Sequence, residues 1–395
     1  MKINENLKEI RIRKAKMASI ERRHPWIFSG AIVSSTVGIN EGELVKVLTE
    51  NGKFLAIGHY QASSISVRIL TFTEEEVNQD FYNKHIENAF KLRLNLNLLN
   101  SNNNIFRLIH GEGDSLPGLI IDFYNGVAVI QCHSFGMYLS LELISKALQL
   151  VLKDKLIAIY SKSSDSLNEK YQAEDKYIYG NSEVPHVALE NGIKYNIDWI
   201  SGQKTGFFID QRENRSLLKK YSSNKKILNT FCYSGGFSLA SIQGNANLAH
   251  SLDSSKKAIE LTEQNVKLNG MEEKHKSILA DTMHYIKELP EEYDIIILDP
   301  PAFAKHRDKR HNAVQAYKRL NEHAIRQIKS GGLLFTFSCS QVVDKMLFNN
   351  TIIAAAIESG RNVRIIEQLH QPADHPINAF HPEGEYLKGL VLEIN

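Results

Sequence analysis

Tyr293-Asp-Ile-Ile-Ile-Leu-Asp-Pro-Pro-Ala-Phe303 and Gly331-Gly-Leu-Leu-Phe-Thr-Phe-Ser-Cys-Ser340 decide the fold. Ile295–Leu298 and Leu333–Phe337 are nearly unbroken apolar runs, the pattern of parallel strands covered on both faces. Between them, residues 312–329 have the length and composition of a helix, and Gly331-Gly332 closes it. A strand, a crossover helix and a second strand place the two strands side by side with their carboxyl ends level. Asp299-Pro300-Pro301 and Cys339 then share one rim of the sheet, where open α/β sheets take their ligands. The expectation is an α/β fold with a doubly wound, Rossmann-like sheet and an active site at that rim.

Working outward, Lys226–Phe231 reads as a strand that enters a helix through Cys232-Tyr-Ser-Gly-Gly-Phe-Ser238. Strand, glycine turn and helix form the nucleotide-binding entry of such a sheet. Asp253 follows a second strand, 18 residues after Gly235, a spacing that suits a carboxylate on ribose hydroxyls. Asp281 follows a third short strand, Ser277–Leu279, within reach of an adenine amine. The dinucleotide fingerprint G-x-G-x-x-G is absent. Residues 187–197 read as a hairpin about Asn191-Gly192. Val363–Glu367 and Tyr386–Glu393 read as an antiparallel edge pair, with His375 and His381 between them as packed or solvated side chains rather than metal ligands.

Toward the N-terminus the composition changes. The first 30 residues carry eight Lys or Arg against three acids, clustered in Lys8, Arg11, Arg13, Lys14, Lys16, Arg22 and Arg23. Residues 43–60 alternate like two short strands about Asn51-Gly52, and Ser66–Leu70 supplies another. A helix over residues 81–100, strands at 105–110 and around Asn125-Gly126, a helix over 138–152 and a strand at 156–160 suggest a small α+β domain. The Gly111-Glu-Gly-Asp-Ser-Leu-Pro-Gly118 loop between them reads as a tight structural turn. Net charge is only +2, so affinity for nucleic acid must come from local patches. Cys132, Cys232 and Cys339 show neither metal-ligand spacing nor a disulfide framework, which suits a reducing cytoplasm. No apolar run approaches membrane length, and no signal-peptide core is present.

Two resemblances add to this reading. G-E-L-V-K-V with G-K-F-L-A-I-G resembles a PUA domain, a small β-barrel RNA-binding module. The second half resembles a class I S-adenosylmethionine-dependent methyltransferase. The whole chain is similar to the bacterial large-subunit rRNA cytosine-5 methyltransferase I family, through G-E-G-D-S-L-P-G-L, G-Q-K-T-G-F-F-I-D-Q-R, N-T-F-C-Y-S-G-G-F-S, D-P-P-A-F, T-F-S-C-S, A-D-H-P and E-G-E-Y-L-K-G. The family layout implies a PUA-like domain at 1–73, a central α+β domain at 74–185 and a methyltransferase domain at 186–395. It also implies S-adenosylmethionine as cofactor, 23S rRNA or a large-subunit precursor as partner, and a cytoplasmic location. A homodimer is compatible with it. Phe231, Tyr233 and Gly235 stand where a methyltransferase has three alternating glycines, and Asn229 where an acid is commoner. With Asp253, Asp281 and Asp299 they form the implied cofactor site.

Cytosine C5 becomes nucleophilic only after a thiolate adds to C6, which requires a cysteine at the base pocket and an acid near N3 or N4. Cys339 is the candidate nucleophile and Asp299 the candidate acid. Cys232, in the cofactor turn, is the rival thiol, and Cys132 reads as packing. D-P-P loops also serve amino-methylating enzymes, so the pairing of D-P-P with S-C-S is what favours carbon methylation. Pro300, Pro301 and Phe303 would hold the flat base. Lys305 and Arg307, in the basic loop 304–311, would clamp phosphate. Gln211 and Arg212 belong to a motif that resembles the family's pocket-closing segment. The alternatives are a methyltransferase of the same fold acting on another rRNA or tRNA base, and a non-catalytic RNA-binding assembly factor.

Overall fold

The structure, a computed structural model, describes residues 7–304 and 306–395. The chain divides into two compact units. One holds the chain through Ala188 with Ile197–Phe207 and Ala373–Gly384; the other holds Leu189–Asn196, Phe208–Pro372 and Glu385–Asn395.

The first unit carries two five-stranded sheets. β1 (Lys8–Ile12), β2 (Trp26–Phe28), β3 (Leu44–Thr49), β4 (Phe54–Tyr60) and β5 (Ile65–Thr71) lie in the order β1-β3-β4-β5-β2. Strand alternation buries Ile10, Ile12, Val45 and Val47 in one core. The same alternation leaves Arg11 and Arg13 exposed, and Lys14, Lys16, Arg22 and Arg23 are exposed around the short helix α1 (Met17–Glu21). The expected turn at Asn51-Gly52 is present between β3 and β4.

The second sheet follows helix α2 (Gln79–Asn95), which is capped by Asn78 Oδ1 accepting from the backbone N–H groups of Asp80 and Phe81 at 3.0 and 3.2 Å. Its strands are β6 (Ile105–His110), β7 (Leu119–Tyr124), β8 (Val127–Cys132), β9 (Ala158–Ser161) and β10 (Lys176–Tyr179), in the order β10-β9-β8-β7-β6. β8 and β9 are parallel, and the helices α3 (Phe135–Leu139) and α4 (Leu141–Leu152) cross between them. The single helix expected over 138–152 is therefore two, which meet at Ser140. β1, β2 and β10 were not expected, being strands of three to five residues at the edges of their sheets. Cys132 is fully buried, and burial pushes its thiol up to about 12, in keeping with a packing role.

The loop 111–118 is held by its acid. Asp114 accepts two hydrogen bonds from the buried Arg93 guanidinium, at 2.5 and 2.8 Å, and a third from the His110 backbone N–H at 2.6 Å. Arg93 also donates to the carbonyls of Arg107 and Asp374, at 2.7 and 2.6 Å. A Cβ on Gly113 would lie 1.9 Å from the Pro376 carbonyl oxygen, so the close approach of that segment admits only glycine.

A two-stranded hairpin of β11 (His186–Glu190) and β12 (Ile193–Ile197) turns at Asn191-Gly192, as expected. In the second unit, α5 (Arg212–Tyr221) precedes a seven-stranded sheet. Its parallel strands are β13 (Lys226–Thr230), β14 (Leu248–Asp253), β15 (His275–Leu279), β16 (Ile295–Leu298) and β17 (Gly332–Ser338). β18 (Val363–His370) and β19 (Lys388–Ile394) form the expected antiparallel pair, in the order β15-β14-β13-β16-β17-β19-β18. The connecting helices are α6 (Gly236–Gln243), α7 (Lys256–Leu268), α8 (Thr282–Tyr285), α9 (Arg310–Gln327) and α10 (Lys345–Ser359). Ile296, Leu298 and Leu334 enter one apolar layer, while Ile295, Ile297, Phe335 and Phe337 enter the other. Burial on both faces accounts for the unbroken apolar runs in the sequence. Among the described residues no helix is long and apolar enough to cross a membrane.

The Arg93–Asp114 pair supplies the stability test for the first unit, which contains both tryptophans, Trp26 and Trp199. Asp114→Ala leaves a buried guanidinium without its counter-charge and is expected to cost about 3–5 kcal/mol. Urea unfolding followed by tryptophan fluorescence checks this. An unchanged midpoint would show that the loop does not depend on the pair.

Candidate active site

The cofactor turn leaves β13 at Thr230, beside Leu252 of β14 and Leu298 of β16. Phe231, Tyr233 and Gly235 all adopt left-handed backbone, with φ of 54°, 47° and 76°. The alternating conformation of a three-glycine turn is thus kept although two of its residues are aromatic. Such φ values are outliers for bulky residues and cost on the order of 1–3 kcal/mol each. Four bonds from neighbouring elements hold them there. The Cys232 N–H donates to the Leu252 carbonyl at 3.1 Å, and the Tyr233 N–H donates to Asp253 Oδ2 at 3.1 Å. Thr262 Oγ1 donates to the Tyr233 carbonyl at 3.0 Å, and Asn265 Nδ2 to the Ser234 carbonyl at 2.9 Å. At Gly235 a Cβ would meet Thr262 Cγ2 at 2.8 Å.

Asp253, half-buried at the end of β14, also accepts from the Ser255 N–H at 2.9 Å. Each carboxylate oxygen keeps a further lone pair, which suits vicinal hydroxyls. Asp281 is exposed and caps α8, accepting from the His284 N–H at 2.8 Å. Asn229 donates to Ser238 Oγ at 3.0 Å, while its Oδ1 is a buried acceptor without a partner. An open glycine turn, acids on successive strand ends and an unsatisfied acceptor fit a nucleoside ligand that bears hydroxyl and amine donors.

Asp299 and Cys339 stand at the carboxyl ends of the neighbouring parallel strands β16 and β17, beyond the Leu298–Thr336 register pair. Asp299 Oδ1 accepts from Gln211 Nε2 at 3.0 Å, and Asn214 Nδ2 fixes that amide by donating to Gln211 Oε1 at 2.6 Å. Lost hydration, then the nearby Asp210 carboxylate, push Asp299 up to about 7, against the Gln211 hydrogen bond. Asp210 itself accepts from the Tyr386 hydroxyl at 2.7 Å. Cys339 is half-buried, and its thiol is pushed up to about 11 by desolvation and then by Asp299 and Asp210. Lys388 acts in the opposite sense on that thiol. Cys232, the rival thiol, is buried against Thr262 Oγ1 at 3.5 Å, and burial pushes it up to about 12.

Around this centre Pro300 is buried, Pro301 exposed and Phe303 half-buried, its ring 4.7 Å from that of Tyr317. Gln211 and Arg212 are both buried, and Arg212 Nε donates to Glu213 at 3.2 Å. Arg307 lies exposed on a short turn before α9, and Lys305 lies outside the described residues. Asp210, Tyr386 and Lys388 were assigned no role in the sequence. A signal existed for Lys388, which interrupts the apolar run Leu387–Leu392 of a strand buried on both faces.

Comparison with known proteins agrees with this geometry. The model of an S-adenosylmethionine-dependent methyltransferase family matches residues 106–389, and that of a PUA-like domain matches residues 10–72. Ribosomal RNA large subunit methyltransferase I of Aeromonas hydrophila is 36% identical, over 96% of this chain and 97% of that protein. The Escherichia coli protein of the same name is also 36% identical, over 96% and 98%. The solved structure of SMU.776 complexed with SAH is 21% identical, with a TM-score of 0.84 over 98% of this chain and 100% of that one. The chain belongs to the S-adenosylmethionine-dependent methyltransferases, in the family of the bacterial ribosomal RNA large subunit methyltransferase I proteins.

Proposed function

We propose that this chain methylates C5 of a cytosine in large-subunit (23S) ribosomal RNA, through a covalent bond between Cys339 Sγ and C6 of the base. The substrate class is supported by the names of relatives aligned along nearly the whole chain. The observation that carries the chemistry is the placement of a thiol and a carboxyl group with a raised pKa on adjacent strand ends.

Attack of the Cys339 thiolate on C6 pushes electron density toward C5 and N3. With its pKa near 7, Asp299 keeps a substantial protonated fraction at neutral pH and can donate to N3 as that charge develops. Gln211 holds the carboxyl group in one orientation. S-Adenosylmethionine, when bound, supplies the electrophilic methyl group, after which loss of the C5 proton to a base expels the Cys339 sulfur from C6 and restores the ring. Phe303 and the rigid Pro300-Pro301 pair, which offers no N–H, would flank a base turned out of its stack. The exposed Arg13, Lys14, Lys16 and Arg307 would meet phosphate, giving affinity without sequence readout. On this reading the protein works in the cytoplasm.

Three outcomes are expected. RNA carrying 5-fluorocytidine at the target, with enzyme and cofactor, should give a protein–RNA band that survives denaturation, because no C5 proton is available for elimination. Cys339→Ala should lose both this band and methylation, and Cys232→Ala should retain part of each. A band of normal intensity from Cys339→Ala would move the nucleophile elsewhere.

For the cofactor, Asp253→Ala removes a charge-assisted contact of about 1.5–3 kcal/mol, roughly a 10- to 150-fold loss of affinity. Calorimetry with S-adenosylmethionine decides this, and wild-type affinity would remove Asp253 from the ligand set.

For RNA, replacing Arg13, Lys14 and Lys16 with alanine should weaken binding and flatten its salt dependence, by roughly 0.7–0.9 in log–log slope per lost phosphate contact. Identical slopes for variant and wild type would reduce the basic strip to a solvated face.

A further inference from the structure

We infer that Lys388 is a positioning residue for Cys339: its buried ammonium group anchors the Ser338-Cys339-Ser340 segment and stabilises the thiolate formed there. Its catalytic consequence rests on the reading of Cys339 as nucleophile, whereas the stability of the thiolate does not.

Lys388 opens β19 directly opposite Ser338 of β17, with His370 of β18 on its other side. It is 5% exposed. Its Nζ donates to the Ser340 carbonyl at 2.6 Å and to the Tyr386 carbonyl at 2.9 Å. The ammonium group is thus fastened one residue beyond Cys339. Among the described residues no carboxylate lies within ion-pair distance of it; Asp344 and Glu385 act on it only from farther away. Carbonyl dipoles accept two of its three protons without neutralising its charge, and an unneutralised buried charge is costly. A thiolate at Cys339 would supply the missing negative charge. The opposing groups are equally definite, since Asp299 and Asp210 face the same thiol and resist its ionisation. Burial lowers Lys388 to about 8, which leaves it mostly protonated at neutral pH. Ionisation breaks only the S–H bond, and the proton leaves to water.

A purely structural lysine would tie the strand ends together without affecting the thiol. Iodoacetamide alkylation of Cys339 in the full chain, without RNA or cofactor, separates the two cases. The rate is read by peptide mass spectrometry across a pH series. Lys388→Met keeps the stem and removes the charge, and it should shift the alkylation profile to higher pH by about one unit or more, roughly 10-fold slower at a given pH. Lys388→Arg should restore the profile. Protection of the buried Cys132 and Cys232 reports an intact fold in the same spectra. If Lys388→Met exposes them, Lys388→Gln replaces it, and the same upward shift is required. A wild-type profile from the folded uncharged variant overturns the inference and leaves the RNA adduct experiment untouched. A shifted profile in an enzyme that forms no RNA adduct would uphold Lys388 and overturn the nucleophile.

Discussion

Burial of both faces of the parallel strands β13, β16 and β17 is the constraint on which the second unit depends. Ile295 and Ile297 point into one apolar layer, and Ile296 and Leu298 into the other, so the strand has no face for a polar side chain until it ends. Polar chemistry is therefore expelled to the strand termini. There the register that pairs Leu298 with Thr336 leaves Asp299 and Cys339 at one rim, and the pairing of Thr230 with Leu298 brings the turn at residues 231–235 to the same rim. The apolar layers that hold the sheet together thus also place Asp299 and Cys339 side by side.

The rim is an electrostatic compromise. Desolvation raises Asp299 and Cys339 and lowers Lys388, so each group is driven toward its neutral form. Asp210, held by the Tyr386 hydroxyl, adds a second carboxylate that reinforces the first two effects. The rim thus combines a carboxyl group that titrates near neutrality with a lysine that stays mostly protonated there. Gln211 binds Asp299 and the Ser340 carbonyl binds Lys388, so each fixes one of these groups in place.

Strain is concentrated in the turn from Phe231 to Gly235. Phe231 and Tyr233 hold left-handed backbone that glycine would adopt without penalty, and they do so because Asp253, Thr262 and Asn265 grip the intervening peptides. Asp253 serves two purposes: one oxygen secures the turn, while the carboxylate as a whole remains half-exposed for a ligand. Loop 111–118 in the first unit is likewise over-determined, by the Asp114–Arg93 pair and by the Pro376 carbonyl pressed against Gly113. Its G-E-G-D pattern is a packing requirement there rather than a second site.

The sequence by itself determined the doubly wound sheet, because continuous apolar runs of strand length bounded by Asp-Pro-Pro and Gly-Gly admit few other arrangements. It also placed Gly235, Asp253, Asp281 and Asp299 on successive strand ends, since chain order in a doubly wound sheet is nearly spatial order. The short strands β1, β2 and β10, each at the edge of its sheet, and the break at Ser140 were not legible, because three to five residues carry little signal of their own. Tertiary structure alone decided the state of the site. Asp281 is committed to capping α8, Cys232 is sealed against Thr262, and Asp210 and Lys388 converge on Cys339 from segments 178 residues apart. Local sequence records propensity and spacing, whereas desolvation and Coulombic coupling depend on which distant segments are folded into contact.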